Sequence, residues 1–429
     1  MKAATKKISP VQQRTIVSWA QWQQVQTQYR QALKAKFYRQ LITLRTRKIL
    51  NTPGQFTALP ITTKADLVEH NMDFLAVSAA AVCEWVTTSG TTGKSVRIAL
   101  DRRDLLRLAQ NEAAALRLAG IKRGDGLLIA VGMDRLFVAG LAYWLGAQKL
   151  GAVCLRAGPS LVDMACTAAL PLAPAGRWFI IGVPSLLSGA IGSSQNLPPR
   201  LGGLIGIGEA LYRADLTPNA MCQLLHRRTG APVMSTYAST ETCSTFAQGT
   251  VCRGNHLNPR MAIVEILDDG GRDVPPGAPG RVVITPLGQS AMPLLRFDTG
   301  DIAALFTDPC PCGRPTARLG PVLGRAAQLL KLQGVSLFAA AVIELVRSIY
   351  AGMEFVILAD ADPLGADRVT VYVVCPAHRW ASLQQRFDRA ARGQLKCVPP
   401  IRYCDMQTIM QIRAMRPSRK SAVFVDTRD

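Results

Sequence analysis

The chain has 429 residues, 48% of them apolar and 18% charged, and a formal net charge of +21. This profile excludes a disordered or fibrous chain, and the length is enough to bury a sizeable core across two or three domains. No stretch reads as a membrane span, because the longest apolar region, Gly126 to Leu155, is broken by Asp134, Arg135, Gln148 and Lys149. No signal-peptide core follows the basic start, so the cytoplasm is the expected compartment.

The charge sits at the ends. Residues 1–50 hold eleven Lys/Arg and no acid, and residues 386–429 hold ten against four. A polyanion partner, nucleic acid or an anionic surface, is one reading of this; solvated helix faces are the other. The second is favoured because no helix-turn-helix or RNA-binding signature accompanies the charge. The eleven cysteines, an odd number, do not form a disulfide framework.

Read in chain order, Trp19, Trp22, Val25, Tyr29, Leu33, Phe37 and Leu41 recur at helical spacing, and Pro53-Gly54 ends the run. Val82 to Thr88 reads as a buried strand that opens into Thr88-Ser89-Gly90-Thr91-Thr92-Gly93-Lys94-Ser95. Hydroxyls and glycines at this density can wrap a phosphate chain, with Lys94 adding charge. The loop is not a Walker loop, since Thr88 stands where that pattern needs Gly.

A helix over 104–118, a strand over 127–131, a small-residue helix over 136–151 and a strand over 152–155 follow. The alternation recurs at 178–183, 204–207 and 233–237, which implies βαβ units. Beyond about residue 260, strands at 262–267, 281–285 and 302–306 are separated by Gly/Pro/Asp turns. A last unit carries helices at 339–347 and 383–395 and strands at 354–359 and 368–375. Cys252-x3-His256 and Cys310-x-Cys312 together offer three thiolates and an imidazole, a sound tetrahedral zinc set for a closed structural site.

Several motifs come in a telling order. After Leu59-Pro60-Ile61-Thr62-Thr63-Lys64-Ala65-Asp66-Leu67 and the phosphate loop come Leu136-Phe137-Val138-Ala139-Gly140-Leu141 and Gly146–Ala152. Next are Gly206-Ile207-Gly208-Glu209, Tyr237-Ala238-Ser239-Thr240-Glu241, Arg296-Phe297-Asp298-Thr299-Gly300-Asp301, Gly324-Arg325 and Arg419-Lys420. The ordered set resembles the phenylacetate–CoA ligase branch of the adenylate-forming enzymes over roughly residues 56–429.

The resemblance implies a function: ATP-dependent activation of a carboxylic acid, an aryl acid, as its acyl-adenylate, followed by thioester formation with CoA. It implies an α/β fold with three parts. A basic helical segment (1–55) precedes a large ATP- and acid-binding domain (56–330), which has a mostly parallel sheet and a small distorted β subdomain. A small mobile α+β C-terminal domain (331–429) completes it.

By the same resemblance, Ser89, Gly90, Thr91, Thr92, Gly93 and Lys94 cradle phosphates, and Gly208 and Glu209 form the adenine-side turn. Tyr237 stacks on adenine, Thr240 meets the α-phosphate, and Glu241 holds Mg²⁺. Asp301 accepts from the ribose hydroxyls, Arg325 lies on the ribose–phosphate side, and Lys420 bridges carboxylate and phosphate during adenylation. Phe137, Ala139 and Gly140 border the acid pocket, and some relatives carry a similar Cys/His zinc site.

The chain departs from the pattern in four places. Met133-Asp134-Arg135 replace Tyr and Gly neighbours of the acid pocket, which leaves the acid open. Ala327 stands at the hinge aspartate, Arg419 replaces the glycine before the lysine, and Val423 replaces a later arginine. Transfer to a carrier protein or an amine, and a nucleotide-binding relative without catalysis, are the alternatives. Homodimerisation is left open.

Overall fold

The computed structural model describes residues 19–42, 50–88, 96–134, 136–158, 176–193, 197–198, 200–325, 329–332, 335–361, 367–416 and 422–428. The chain divides into two compact units. One comprises Met1–Pro218 with Cys222–Pro321, the other Asn219–Met221 with Val322–Asp429.

The first unit opens with helices α1 (Trp19–Ala32), α2 (Lys36–Leu41), α3 (Pro53–Thr57) and α4 (Lys64–Glu69). Trp22, Val25, Tyr29 and Phe37 of the predicted apolar stripe are buried, and Tyr38 joins them, but Trp19 and Leu41 at its two ends are exposed, at 72% and 40%. A hairpin of β1 (Val82–Thr87) and β2 (Arg97–Asp101) leads into α5 (Arg102–Leu118). A capping box starts α5: Asp104 N–H donates to Asp101 Oδ1 (2.9 Å) and Asp101 N–H to Asp104 Oδ2 (3.2 Å). The Asp104 carboxylate also accepts from the backbones of Ser290 (2.7 Å) and Ala291 (2.8 Å), which locks α5 to a distant loop.

The central sheet follows from β3 (Gly126–Ala130), β4 (Val153–Arg156), β5 (Trp178–Gly182), β6 (Leu201–Gly206) and β7 (Val233–Ser239). Helices α6 (Val138–Leu150), α7 (Pro184–Ser193) and α8 (Ala220–Thr229) lie between them in sequence. Gly151, at φ 74°, ends α6 in the left-handed conformation that suits glycine. These strands pair in parallel in the order β4-β3-β5-β6-β7. Their cores are continuous apolar runs, as a sheet covered on both faces requires: Leu127 to Ile129 and Phe179 to Ile181 are fully buried.

The sheet then continues antiparallel. It runs through β8 (Ser244–Ala247), β9 (Asn255–His256), β10 (Ala262–Leu267), β11 (Pro279–Pro286), β12 (Phe297–Phe306) and β13 (Arg318–Leu319), in the order β7-β8-β9-β13-β12-β11-β10. The β subdomain is thus hydrogen-bonded to the parallel strands through β8 and β9. Sequence pattern places a strand only at 302–306, yet β12 begins at Phe297. Backbone pairing of Thr62 with Phe297 and an irregularity opposite Arg281–Val283 draw the Asp298–Asp301 segment into the ladder.

In the second unit β14 (Leu329–Leu332) and β15 (Val335–Phe338) form a hairpin before α9 (Ala339–Ile349). Strands β16 (Phe355–Ala361), β17 (Asp367–Val373), β18 (Ile401–Tyr403) and β19 (Phe424–Asp426) form a sheet in the order β18-β17-β16-β19. Phe355, Ile357, Val369 and Val371 pack with Val342 of α9 and Phe387 of α10 (Trp380–Gln394), while Val356 packs with Ile409 of α11 (Met406–Ala414). This is the period-two alternation of a strand covered on both faces. Among the described residues no helix is long and apolar enough to cross a membrane.

Candidate active site and metal centre

The β7–β8 hairpin and β12 gather three of the motif residues. Tyr237, near the end of β7, pairs across the ladder with Phe246, and the two rings stack with centroids 6.1 Å apart. The Tyr237 hydroxyl donates to Asp301 Oδ2 at 2.9 Å. Burial and the Asp301 charge raise the phenol well above its usual range, so it remains a donor. The turn after β7 carries Thr240 and Glu241, both half-buried, and closes with Cys243 in a left-handed conformation, φ 44°.

Glu241 is fixed on three sides. Ser239 Oγ donates to its Oε2 (2.9 Å), Lys64 Nζ lies 3.4 Å from Oε1, and Gln289 Nε2 donates to its main-chain oxygen (3.0 Å). The following residues are pinned by Arg107 of α5. Its guanidinium donates to Cys243 O (2.8 Å), Leu287 O (2.6 Å), Met261 O (2.7 Å) and Ser244 Oγ (3.1 Å). A wholly buried guanidinium is tolerable because those carbonyls solvate it.

Arg296, first residue of its motif, faces away from this site. It forms a buried two-pronged ion pair with Glu265 (3.0 and 3.1 Å) and donates to the carbonyls of Thr57 and Leu59. Its job is to clamp the segment before α4 onto β12. Thr62 extends the clamp, its N–H donating to Arg296 O (3.0 Å) and its carbonyl accepting from Asp298 N (2.8 Å).

Glu209, in the turn after β6, accepts from Ser185 Oγ (2.6 Å) and Ser185 N (3.2 Å) and so caps α7 electrostatically. Gly208 sits beside it with φ 69°. Phe137 is the residue before α6, and Ala139 and Gly140 lie in its first turn. A Cβ on Gly140 would meet Met133 Cγ at 2.5 Å and Gly132 O at 2.6 Å, so the 132–133 loop packs directly on that turn.

Ser89, Gly90, Thr91, Thr92, Gly93, Lys94, Ala327 and Lys420 lie outside the described residues. Thr88 and Val96 flank the 89–95 segment and pair with each other: Thr88 N–H donates to Val96 O and its hydroxyl accepts from Val96 N, both 3.1 Å. Arg325 is half-buried in the second unit.

Sequence reasoning missed Lys64, Arg107, Ser185, Ser239 and Gln289 as supports of these groups. Arg107 had a usable signal. Asp104, Arg107, Asn111 and Glu112 share the helix face of Leu108 and Ala115, where charge is out of place.

The second cluster lies in the antiparallel half. The β9–β13 pairing sets His256 opposite Arg318, and the Cys252/His256 and Cys310/Cys312 pairs come together beside it. The ligand atoms of Cys252, His256, Cys310 and Cys312 all lie within 4.8 Å of one another. Cys312 Sγ is 3.2 Å from His256 Nε2, while His256 Nδ1 meets Thr316 Oγ1 at 2.8 Å, the outer hydrogen bond that orients a ligating imidazole. Burial, with Arg318 and Arg314 nearby, holds the imidazole below its usual pKa and therefore neutral, the form that ligates. Buried Arg318 braces the loop by donating to Asp308 O (2.8 Å) and Oδ1 (2.7 Å). The donor set and its convergence fit zinc.

Comparison with known proteins gives the class first. No protein-family profile matches the chain. The crystal structure of 2-hydroxyisobutyryl-CoA ligase in the postadenylation state, in complex with R3-HIB-AMP, superposes with a TM-score of 0.80. It is 20% identical and covers 95% of this chain and 89% of that one. An anthranilate CoA ligase in complex with anthranoyl-AMP gives 0.56 at 16% identity, over 78% and 67%. The fold is that of the adenylate-forming enzymes.

Sequence relatives narrow this. Phenylacetate–coenzyme A ligase of Thermus thermophilus is 28% identical over 285 residues, 65% of this chain and 63% of that protein. The Aromatoleum evansii enzyme of the same name is 27% identical over 310 residues, 69% and 67%. The matched region thus spans somewhat under two thirds of the Thermus relative. Over about two thirds of its length the chain is thus similar in sequence to phenylacetate–coenzyme A ligases, and it shares its fold with solved acyl- and aryl-CoA ligases.

Proposed function

We propose that the chain joins a carboxylic acid to CoA in two steps at one site, the acid being an aryl acid. In the first, the acid's carboxylate oxygen attacks the α-phosphorus of ATP, forming acyl-AMP and releasing pyrophosphate. In the second, the CoA thiol gives its proton to solvent, its sulfur attacks the acyl carbon, and AMP leaves. No general base is needed for the first step, because the carboxylate is itself the nucleophile; positioning and charge stabilisation supply the catalysis.

The observation that carries this reading is the hydrogen bond that joins Tyr237 to Asp301, drawn from two motifs far apart in sequence, with Glu241 held in the turn that follows Tyr237. Tyr237 offers its ring to the base, Asp301 accepts from the ribose, and the Thr240 hydroxyl donates to the α-phosphate. Ser89–Lys94 wrap the outer phosphates, Gly208 and Glu209 border the base, Arg325 acts on the ribose–phosphate side, and Lys420 bridges carboxylate and phosphate during adenylation. A magnesium ion, when bound by Glu241, supplies neutralisation of phosphate charge. Phe137, Ala139 and Gly140 border the acid. Cys252, His256, Cys310 and Cys312 hold a structural zinc.

The test is ATP–pyrophosphate exchange across a panel of aryl acids and short hydroxy acids. Thioester formation is then followed with CoA and, separately, with holo-carrier protein. Acid-dependent exchange, strongest with an aryl acid, and a CoA thioester are expected. Absence of exchange with every acid would sink the reading.

A further inference from the structure

Lys64 is the first residue of α4, and its position is fixed twice. Thr63 caps the helix in a box with Asp66, and Thr62 is laddered onto the start of β12. From that anchor the ammonium reaches to 3.4 Å from Glu241 Oε1, with 24% and 12% of the two side chains exposed. The other carboxylate oxygen is taken by Ser239 Oγ. A divalent cation that uses Glu241 therefore meets an oxygen already held by a positive charge, and two cations in contact with one oxygen repel. A displaced ammonium stays near the same turn, because its stem is anchored at α4. The anion it would find there is the polyphosphate that accompanies the metal.

Resting on the reading of Glu241 as the metal ligand, we propose that Lys64 is a phosphate-binding residue that first acts as a resident counter-cation. It holds Glu241 before nucleotide binds, gives it up to the divalent cation, and then pairs with the polyphosphate of ATP and with departing pyrophosphate. A compact ammonium suits this exchange, since it binds phosphate as a point charge and needs no fixed plane.

The signature is movement in opposite directions. Binding of Mn²⁺ to the nucleotide-free chain is followed by the resonance of the free ion, and binding of pyrophosphate with saturating Mg²⁺ by calorimetry. Lys64→Gln should bind Mn²⁺ about threefold more tightly, as expected for loss of a partly screened competitor. The same variant should bind pyrophosphate about tenfold more weakly, and Lys64→Arg should restore pyrophosphate binding to within about twofold. Lys64→Met replaces Lys64→Gln if the latter is less folded by circular dichroism.

A merely structural lysine would weaken both ligands or neither, and either result overturns the proposal. So does unchanged Mn²⁺ or unchanged pyrophosphate affinity alone. Glu241→Gln, run in parallel, separates the causes. If it abolishes Mn²⁺ binding, a negative result at Lys64 counts against Lys64 alone. If it binds Mn²⁺ as the parent does, the metal assignment falls and takes this inference with it.

Discussion

The Tyr237 hydroxyl and the Asp301 carboxylate are joined by a 2.9 Å hydrogen bond between residues 64 positions apart. The group proposed to flank adenine and the group proposed to hold the ribose are therefore oriented by each other before nucleotide binds. Tyr237→Phe keeps the ring and removes this bond. It should raise KM for ATP in the exchange assay by about fivefold with kcat nearly unchanged, the size expected for the net worth of one ordinary hydrogen bond. Asp301→Ala should raise it further. An unchanged KM in both variants would contradict the nucleotide assignment.

Lys420 makes the opposite prediction. A residue that stabilises charge only as the acid attacks should lower kcat when removed and leave ATP affinity alone. Lys420→Ala should reduce exchange by about a hundredfold or more, in the range of losing one preorganised stabiliser. Thioester formation from supplied acyl-AMP should be far less affected. Equal losses in both half-reactions would show that the residue acts on the fold instead.

Glu112 sets a pH dependence of stability. Burial raises its carboxyl from an ordinary 4.5 to about 7, with hydrogen bonds from Thr245 and Asn111 and the charge of Arg107 opposing the rise. Below about pH 4.5 both folded and unfolded chains carry the proton. Between there and about pH 7 the unfolded chain ionises first, so this group's contribution falls as pH rises, by at most about 3 kcal/mol. Glu112→Gln should therefore be more stable than the parent at pH 8, with the difference vanishing near pH 4.5. Denaturant unfolding across that range measures it. A difference that does not vary with pH would refute the assignment.

The cysteine cluster should hold one zinc per chain as isolated, measured by elemental analysis. Chelation or Cys312→Ser should lower the unfolding temperature, because a structural zinc contributes folding free energy directly. Thr316→Val should keep the ligands and weaken zinc retention about tenfold through lost orientation of His256. Full stability without the metal would count against a structural role.

Much of this was readable in the residues. The alternation of apolar runs located β3, β5 and β6, since a covered parallel strand is apolar along its whole length. Tyr237, Glu241 and Asp301 stood in motifs whose order carried the information. The two Cys/His pairs were readable as a zinc set but not as neighbours, because that depends on β9 pairing with β13. Arg296 was visible as a motif residue, but not that it turns inward to Glu265; a charged side chain looks the same in sequence whether it faces a ligand or a buried partner. Lys64 was equally hidden, since its meeting with Glu241 depends on Thr62 pairing with β12 more than two hundred residues away.

The close approach of Gly140 to the Gly132 backbone and the Met133 side chain bears on how selectivity at this site can change. A methyl group at position 140 would collide with a main-chain oxygen, which no rotamer change relieves. The first turn of α6 and the loop before it therefore vary as one block. In the proposed pocket, a new acid preference is reached through the side chains of Phe137 and Met133, at a fixed backbone. For a designer, these two positions are the dials and Gly140 is the axle.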